Sequence, residues 1–260
     1  LRRFQFNCTQ LEVLSQQAAS HGLIFFSTPF DIESAHMLNN LQPIFKIASG
    51  DNTFFPLIDT VANFHKPTLI STGLADLALL DLLHRLWREK AGGSELAFLH
   101  CVASYPVPLE QANLAAIPTL RARYPDITVG YSDHTLGIEA ATLAVAAGAR
   151  VVEKHFTLNK RHSDFRDHQL SADPEEMEKL VEKIRKVDAM LGKGVKEPQP
   201  CEEELRIVVR RSIGAARNLS AGSALEASDL TWVRPGTGIA PGHEEYVVGK
   251  ILKCALRKGE

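Results

Sequence analysis

Apolar residues along this chain gather into short runs bounded by glycine, proline or serine, at 23–29, 44–50, 67–73, 96–106, 127–133 and 150–157. Within each run hydrophobic residues follow one another instead of alternating with polar ones. Both faces are therefore expected to be buried, as in parallel strands covered by helices. The segments between carry helical spacing: Leu77, Leu80, Leu83 and Leu86 recur every third residue, 138–147 forms a further helical run, and 177–191 follows the start signal Asp173-Pro174. Another helix is expected over 9–20. Strand and helix alternate six times, the rhythm of a (β/α)8 TIM barrel. Such a barrel takes eight units, so the pattern predicts one whose first two strands are missing from this chain, which opens on Leu1 and runs directly into a helix.

After Leu191 the rhythm breaks. Gly192-Lys193-Gly194, Pro198, Pro200 and the acidic Glu202-Glu203-Glu204 read as a linker over 192–207. Residues 208–260 hold short β-type runs and glycine-rich turns, Ala221-Gly222 and Pro235-Gly236-Thr237-Gly238, without a long amphipathic helix. A small β-rich domain is expected there, closing on a turn signal as though cut short. The expected division is thus 1–191, 192–207 and 208–260.

Composition then narrows the partners. In 260 residues, 45% hydrophobic and 23% charged, there is room for one large globular domain, or one large and one small. A net charge of -2 leaves no basic stripe for a phosphate backbone, which argues against nucleic acid. Cys8, Cys101, Cys201 and Cys254 are scattered without C-x-x-C spacing, as reduced thiols of a cytoplasmic protein would be, and a structural zinc site is not expected. No run approaches eighteen apolar residues and no charged-then-apolar leader is visible, so neither a membrane span nor a signal peptide is expected.

If the runs are barrel strands, their C-terminal ends carry Ser27, Thr28, Lys46, Ser49, Asp51, Ser71, Thr72, Tyr105, Ser132, His134, Glu153 and His155. That set is hydroxyl-rich and basic, and suits an anionic, oxygen-rich ligand such as a phosphate ester or a sugar. His134 and His155 end two runs in step, with Asp133 and Glu153 beside them. They read either as satisfied core histidines or as a divalent-metal site in which imidazoles bind and carboxylates orient them. Lys46 places an ammonium inside an apolar strand, which is costly unless an anion meets it; the alternative is an edge lysine reaching out to solvent. Ser71-Thr72-Gly73 could donate to a phosphate at the next helix start, or be an ordinary turn. Cys101, in Phe98-Leu99-His100-Cys101-Val102 and without a cationic partner nearby in sequence, reads as a small buried hydrophobe, leaving Tyr105 as the better candidate. The charged loop 159–171 is long for its place. It is either simply solvated or brings Asp167 to the ligand.

Six blocks in order resemble the sialic acid synthase family: Phe26-Ser27-Thr28-Pro29-Phe30-Asp31, Lys46-Ile47-Ala48-Ser49-Gly50-Asp51, Ser71-Thr72-Gly73, His100-Cys101 with Tyr105-Pro106, Gly130-Tyr131-Ser132-Asp133-His134-Thr135, and Glu153-Lys154-His155-Phe156-Thr157. Arg210-Arg211-Ser212-Ile213 and Arg234-Pro235-Gly236-Thr237-Gly238-Ile239 resemble its antifreeze-like (SAF) domain. The resemblance implies condensation of phosphoenolpyruvate with an N-acetylhexosamine, N-acetylmannosamine first, to give N-acetylneuraminate and phosphate. Legionaminate, pseudaminate and spore-coat relatives keep other acceptors open, as does Ala103, where bacterial neuraminate synthases have asparagine. It further implies that His134 and His155 hold a divalent metal, Mn²⁺ with Mg²⁺ or Co²⁺ as alternatives. Lys46, Thr28, Ser49, Ser71 and Ser132 would bind phosphoenolpyruvate, and Asp51, Tyr105, Glu153 and Asp167 would contact or orient the substrates. Arg234 would reach the N-acyl group from the partner subunit of a domain-swapped homodimer. A chain lacking the first two strands is expected to be inactive alone, and a non-catalytic binding barrel or a Schiff-base aldol enzyme are the competing classes.

Overall fold

The first regular elements are helices α1 (Cys8–Ser20) and α2 (Ile32–Asn39), each started by a side chain that accepts a backbone N–H: Asn7, in a reciprocal pair with Gln10, and Asp31. In the computed structural model, which describes residues 6–163 and 165–260, strand and helix then alternate. The strands are β1 (Phe45–Ile47), β2 (Thr68–Ser71), β3 (Leu96–Cys101), β4 (Thr128–Asp133) and β5 (Val152–Lys154). Between them lie α3 (Phe55–Ala62), α4 (Leu77–Lys90), α5 (Ala116–Arg123) and α6 (Glu139–Ala146). Among the described residues the five strands form one parallel sheet in chain order. Beyond β5, α7 (Arg166–Leu170) and α8 (Pro174–Leu191) complete this unit, with Asp76 capping α4 and Asp173 capping α8.

Phe45, Ile47, Ile70, Phe98 and Val129 from the strands pack with Leu57, Ile58, Leu83 and Ile117 from the helices in one buried cluster. Gly130 is what lets three strands close up at β4: a Cβ there would sit 2.5 Å from both Leu99 Cδ2 and the Val151 carbonyl oxygen. The sheet is curled. Lys46 on the first strand reaches Glu153 on the last, Nζ to Oε1 3.3 Å, so the two edges face each other as in a half barrel.

The run at 23–29 is a correction, because it forms no strand. The side-chain amide of Gln42 takes the place of a strand neighbour, accepting from Ser27 N at 2.7 Å and donating to Ser27 O at 3.1 Å. Leu23 and Ile24, apolar in pattern, are exposed. At the other edge the sheet extends past β5 through a parallel bridge from Phe156 to Ala172.

The chain divides into two compact units, Leu1–Gly192 and Lys193–Glu260. In the second, α9 (Glu203–Val209) begins in the stretch read as linker, 192–207, and runs past its end, and β6 (Ser212–Ala215) pairs antiparallel with β7 (Leu230–Val233). Ala215, Leu219 and Leu225 make its small core.

Candidate active site

Strand alternation decides what faces the inside of the curl. Lys46, Ser71, Cys101, Ser132 and His134, with Glu153 and His155, line one cavity of about 380 Å³ at the C-terminal ends of the strands, joined by Thr28, Ser49 and Tyr105 from the loops. Phe30, Ala48 and Lys154 complete the lining. Nine of the twelve polar residues expected at strand tips therefore meet in one place, and Ser27, Asp51 and Thr72 of that set do not line it.

Lys46 is 5% exposed and meets a carboxylate, as its burial required. Glu153 also accepts from Ser71 Oγ at 3.4 Å, so an ammonium, a carboxylate and a hydroxyl from three strands form a continuous polar floor. Ser49 Oγ accepts from Gly73 N at 3.1 Å, an approach open only because residue 73 lacks a Cβ, which would lie 2.7 Å from that oxygen. Asn52, buried behind it, donates to the carbonyls of Ser71 and Gly73 and ties the first two strand-end loops together.

The imidazoles of His134 and His155 lie edge-on with centroids 5.2 Å apart, and Tyr105 sits against both, at 4.1 and 5.8 Å. His134 Nδ1 is 3.0 Å from the Val102 carbonyl; donating there leaves Nε2 as the nitrogen free to bind. Burial draws the His155 pKa down, and the neighbouring His134 charge adds to it. Burial acts the same way on His134, but hydrogen bonds to Cys101 and to the Val102 carbonyl outweigh it and leave the pKa raised. For Tyr105, burial first and then the Cys101, Asp167 and Glu153 charges push the phenol up.

Two expectations need correction. Asp133 stands beside the histidines in sequence but bonds to neither imidazole. It is wholly buried on the opposite face, where its carboxylate accepts from Lys154 Nζ at 2.9 Å, from Thr135 N and Oγ1, and from the Tyr131 hydroxyl. Adjacent strand residues point to opposite sides, so only one of Asp133 and His134 can face inward. Cys101 is buried, but it is more than a small hydrophobe. It lines the cavity, accepts from Ser49 Oγ at 3.4 Å and lies 3.8 Å from His134 Nδ1. Burial raises its thiol pKa, yet the bonds from His134 and Ser49 prevail and the net shift is downward. Its imidazole partner stands thirty-three residues away in sequence, beyond the reach of a local motif.

Asp51 lies in the turn Ser49–Asp51 just behind Ser49, where burial raises its carboxyl pKa. Asp167, in the first turn of α7, is also outside the lining, but its Oδ1 is buried without a hydrogen-bond partner among the described residues. Arg166 beside it lies over the Tyr105 ring at 4.9 Å. The loop read at 159–171 includes residue 164, outside the described residues. Arg234 belongs to the second unit, where its Nε donates to the Val209 carbonyl at 2.8 Å.

As a metal site the donor set is small: among the described residues no three His, Cys, Asp or Glu converge in the way a metal cage requires. Two imidazoles, one anchored through its far nitrogen to a carbonyl, do fit a divalent ion that keeps its other positions for water or substrate oxygens.

Residues 1–196 match the NeuB family and 210–260 match the SAF domain. The chain belongs to the NeuB family. It is 44% identical to an uncharacterized protein, MJ1065, of Methanocaldococcus jannaschii, over 92% of this chain and 71% of that protein. It is 42% identical to the N,N'-diacetyllegionaminic acid synthase of Legionella pneumophila, over 95% of this chain and 70% of the relative. The crystal structure of the N-acetylneuraminic acid (sialic acid) synthetase of Leptospira borgpetersenii superposes with a TM-score of 0.74 at 36% identity, covering 77% of this chain and 70% of that one. The NeuB fold, a TIM-like curled parallel sheet with a C-terminal SAF domain, is thus shared with synthases of sialic and related nonulosonic acids. Among the described residues of this NeuB chain no helix is long and apolar enough to cross a membrane.

Proposed function

We infer that the protein condenses phosphoenolpyruvate with the open-chain aldehyde of an N-acetylhexosamine and water, giving a nine-carbon 2-keto acid and phosphate. The observation that carries this reading is the Lys46–Glu153–Ser71 floor beside the paired imidazoles, in a cavity large enough for both substrates. C3 of the enol forms a bond to the aldehyde carbon, water adds at C2, and the bond from C2 to the bridging oxygen breaks, so phosphate leaves with that oxygen.

Lys46, with Thr28, Ser49, Ser71 and Ser132, holds the phosphate and carboxylate of phosphoenolpyruvate through an ammonium and converging hydroxyls. Glu153 keeps Lys46 in place and orients the water. Tyr105, packed on both imidazoles, positions the aldehyde end. Asp51 supports the Ser49 turn from behind, and Asp167 Oδ1, which faces Arg166 Nε at 3.7 Å without a hydrogen bond among the described residues, accepts from a sugar hydroxyl. A divalent metal held by His134 and His155, Mn²⁺ in this reading, would polarise the aldehyde oxygen as a Lewis acid. In a domain-swapped homodimer of this cytoplasmic enzyme, Arg234 of the partner subunit would fix the N-acyl group.

N-acetylmannosamine is the acceptor in this reading, with N-acetylneuraminate as product. The similarity to a diacetyllegionaminic acid synthase favours a second reading on the same site, an acceptor carrying two acetamido groups. The test is phosphate release from phosphoenolpyruvate and Mn²⁺ by the full-length protein with each acceptor in turn. Release with N-acetylmannosamine supports the first acceptor, and release only with the doubly acetylated sugar supports the second. Failure with every N-acyl hexosamine would sink the function.

A further inference from the structure

His134 and His155 stand at the ends of adjacent strands, and each is preceded by a residue that points the other way. Those two residues, Asp133 and Lys154, are direct partners in the β4–β5 register and form an ion pair of 2.9 Å, with side chains 0% and 2% exposed. The pair is further hydrogen-bonded on both sides. Lys154 also donates to the Thr135 carbonyl at 2.7 Å, and Asp133 takes the Thr135 N–H and hydroxyl at 2.9 and 2.8 Å. Residues 133, 135 and 154 are thereby stitched together on the far side of the two imidazoles.

We propose that the buried Asp133–Lys154 pair is the positioning element that fixes the separation and tilt of His134 and His155. The inference rests on the reading of those two histidines as metal ligands. Each imidazole is one peptide unit from an anchored charge, so any slip of β4 against β5 that moved one ring relative to the other would first have to pull apart a desolvated ion pair. Breaking it leaves each charge uncompensated in the interior. A third tether holds the His134 ring itself, the bond from Nδ1 to Val102. The His155 ring has no comparable bond among the described residues, so the register of β5 against β4 is what sets its place. With two imidazoles as the donors that meet among the described residues, ring separation decides whether both can reach one ion.

The experiment measures Mn²⁺ affinity and the visible absorption of bound Co²⁺, which reports ligand geometry, for the wild type, Lys154→Met, Lys154→Arg and Leu83→Ala. Leu83 lies in the buried core on α4, and its truncation loosens the unit without touching the pair. Folding of every variant is checked by circular dichroism and thermal melting. Lys154→Met is expected to weaken Mn²⁺ binding by about 10- to 100-fold, the range found when groups that orient metal ligands are removed, with an altered Co²⁺ spectrum. Lys154→Arg should restore the spectrum, and Leu83→Ala should leave both readouts as in the wild type. If Lys154→Met fails to fold, the milder Asp133→Asn carries the same comparison. Wild-type affinity and spectrum in a folded Lys154→Met or Asp133→Asn, or equal losses in Leu83→Ala, would overturn the proposal. Absence of metal binding by the wild type would instead overturn the ligand reading.

Discussion

Lys46 Nζ and Glu153 Oε1 lie 3.3 Å apart although their strands are the first and last of a five-stranded sheet. This one contact records the curl of the sheet and the polarity of its interior together. It also sets a testable energetic relationship. Replacing Lys46 by methionine removes a charged donor worth about 1.5–3 kcal/mol to a bound anion, so KM for phosphoenolpyruvate should rise by roughly 10- to 100-fold. The bared Glu153 would then repel the incoming phosphate, and Lys46→Met/Glu153→Gln should bind phosphoenolpyruvate better than Lys46→Met alone. Steady-state kinetics or calorimetric titration measures both; a double variant no better than the single one contradicts the repulsion.

Replacing His134 and His155 together by alanine is expected to abolish bound divalent metal, measured by elemental analysis after equilibration with Mn²⁺ and gel filtration. Metal content equal to the wild type would refute the assignment of these rings as ligands.

Gly130→Ala tests the close approach of three strands. The added methyl would press on Leu99 and on the Val151 carbonyl, and one of those contacts is backbone that cannot rotate away. A loss of at least about 1–3 kcal/mol in denaturant-measured stability is expected from overpacking. An unchanged midpoint would show that the strands have slack there.

Away from the site, the Asp81 carboxylate accepts from the Arg123 guanidinium and the Tyr124 hydroxyl, and these bonds lower its pKa to about 2 from an ordinary 3.8. A depressed carboxylate pKa stabilises the fold above its unfolded value, and that contribution fades as pH falls through the folded value. The melting temperature of Asp81→Asn should therefore lie below that of the wild type at neutral pH, with the gap closing between about pH 4 and pH 2. A gap that persists unchanged at pH 2 would contradict the linkage.

Much of this architecture is legible in the sequence because the signals are local. Asp173-Pro174 starts a helix as expected, Leu80 and Leu83 bury one face of α4 while Leu77 at its start stays exposed, and the run from Leu96 to Cys101 is a strand buried throughout. The run at 23–29 has the same pattern, but a strand also needs a backbone partner, and Gln42 supplies side-chain bonds in its place. At the site, Lys46 stands out as a charge in an apolar run. Cys101 escapes a local reading because its partners, Ser49 and His134, come from other strand ends. The facing of Asp133 is recoverable from strand alternation alone: a residue next to an inward histidine must point outward.

Carbon–carbon bond formation with departure of phosphate through its bridging oxygen is the step on which the proposed function stands. The most direct measurement is mass spectrometry of the products formed from N-acetylmannosamine and phosphoenolpyruvate labelled with heavy oxygen at the bridging position, in the presence of Mn²⁺. The expected result is an unlabelled nine-carbon keto acid and an equal amount of phosphate that carries the label. Label retained in the organic product, or phosphate released without any nine-carbon acid, would contradict it.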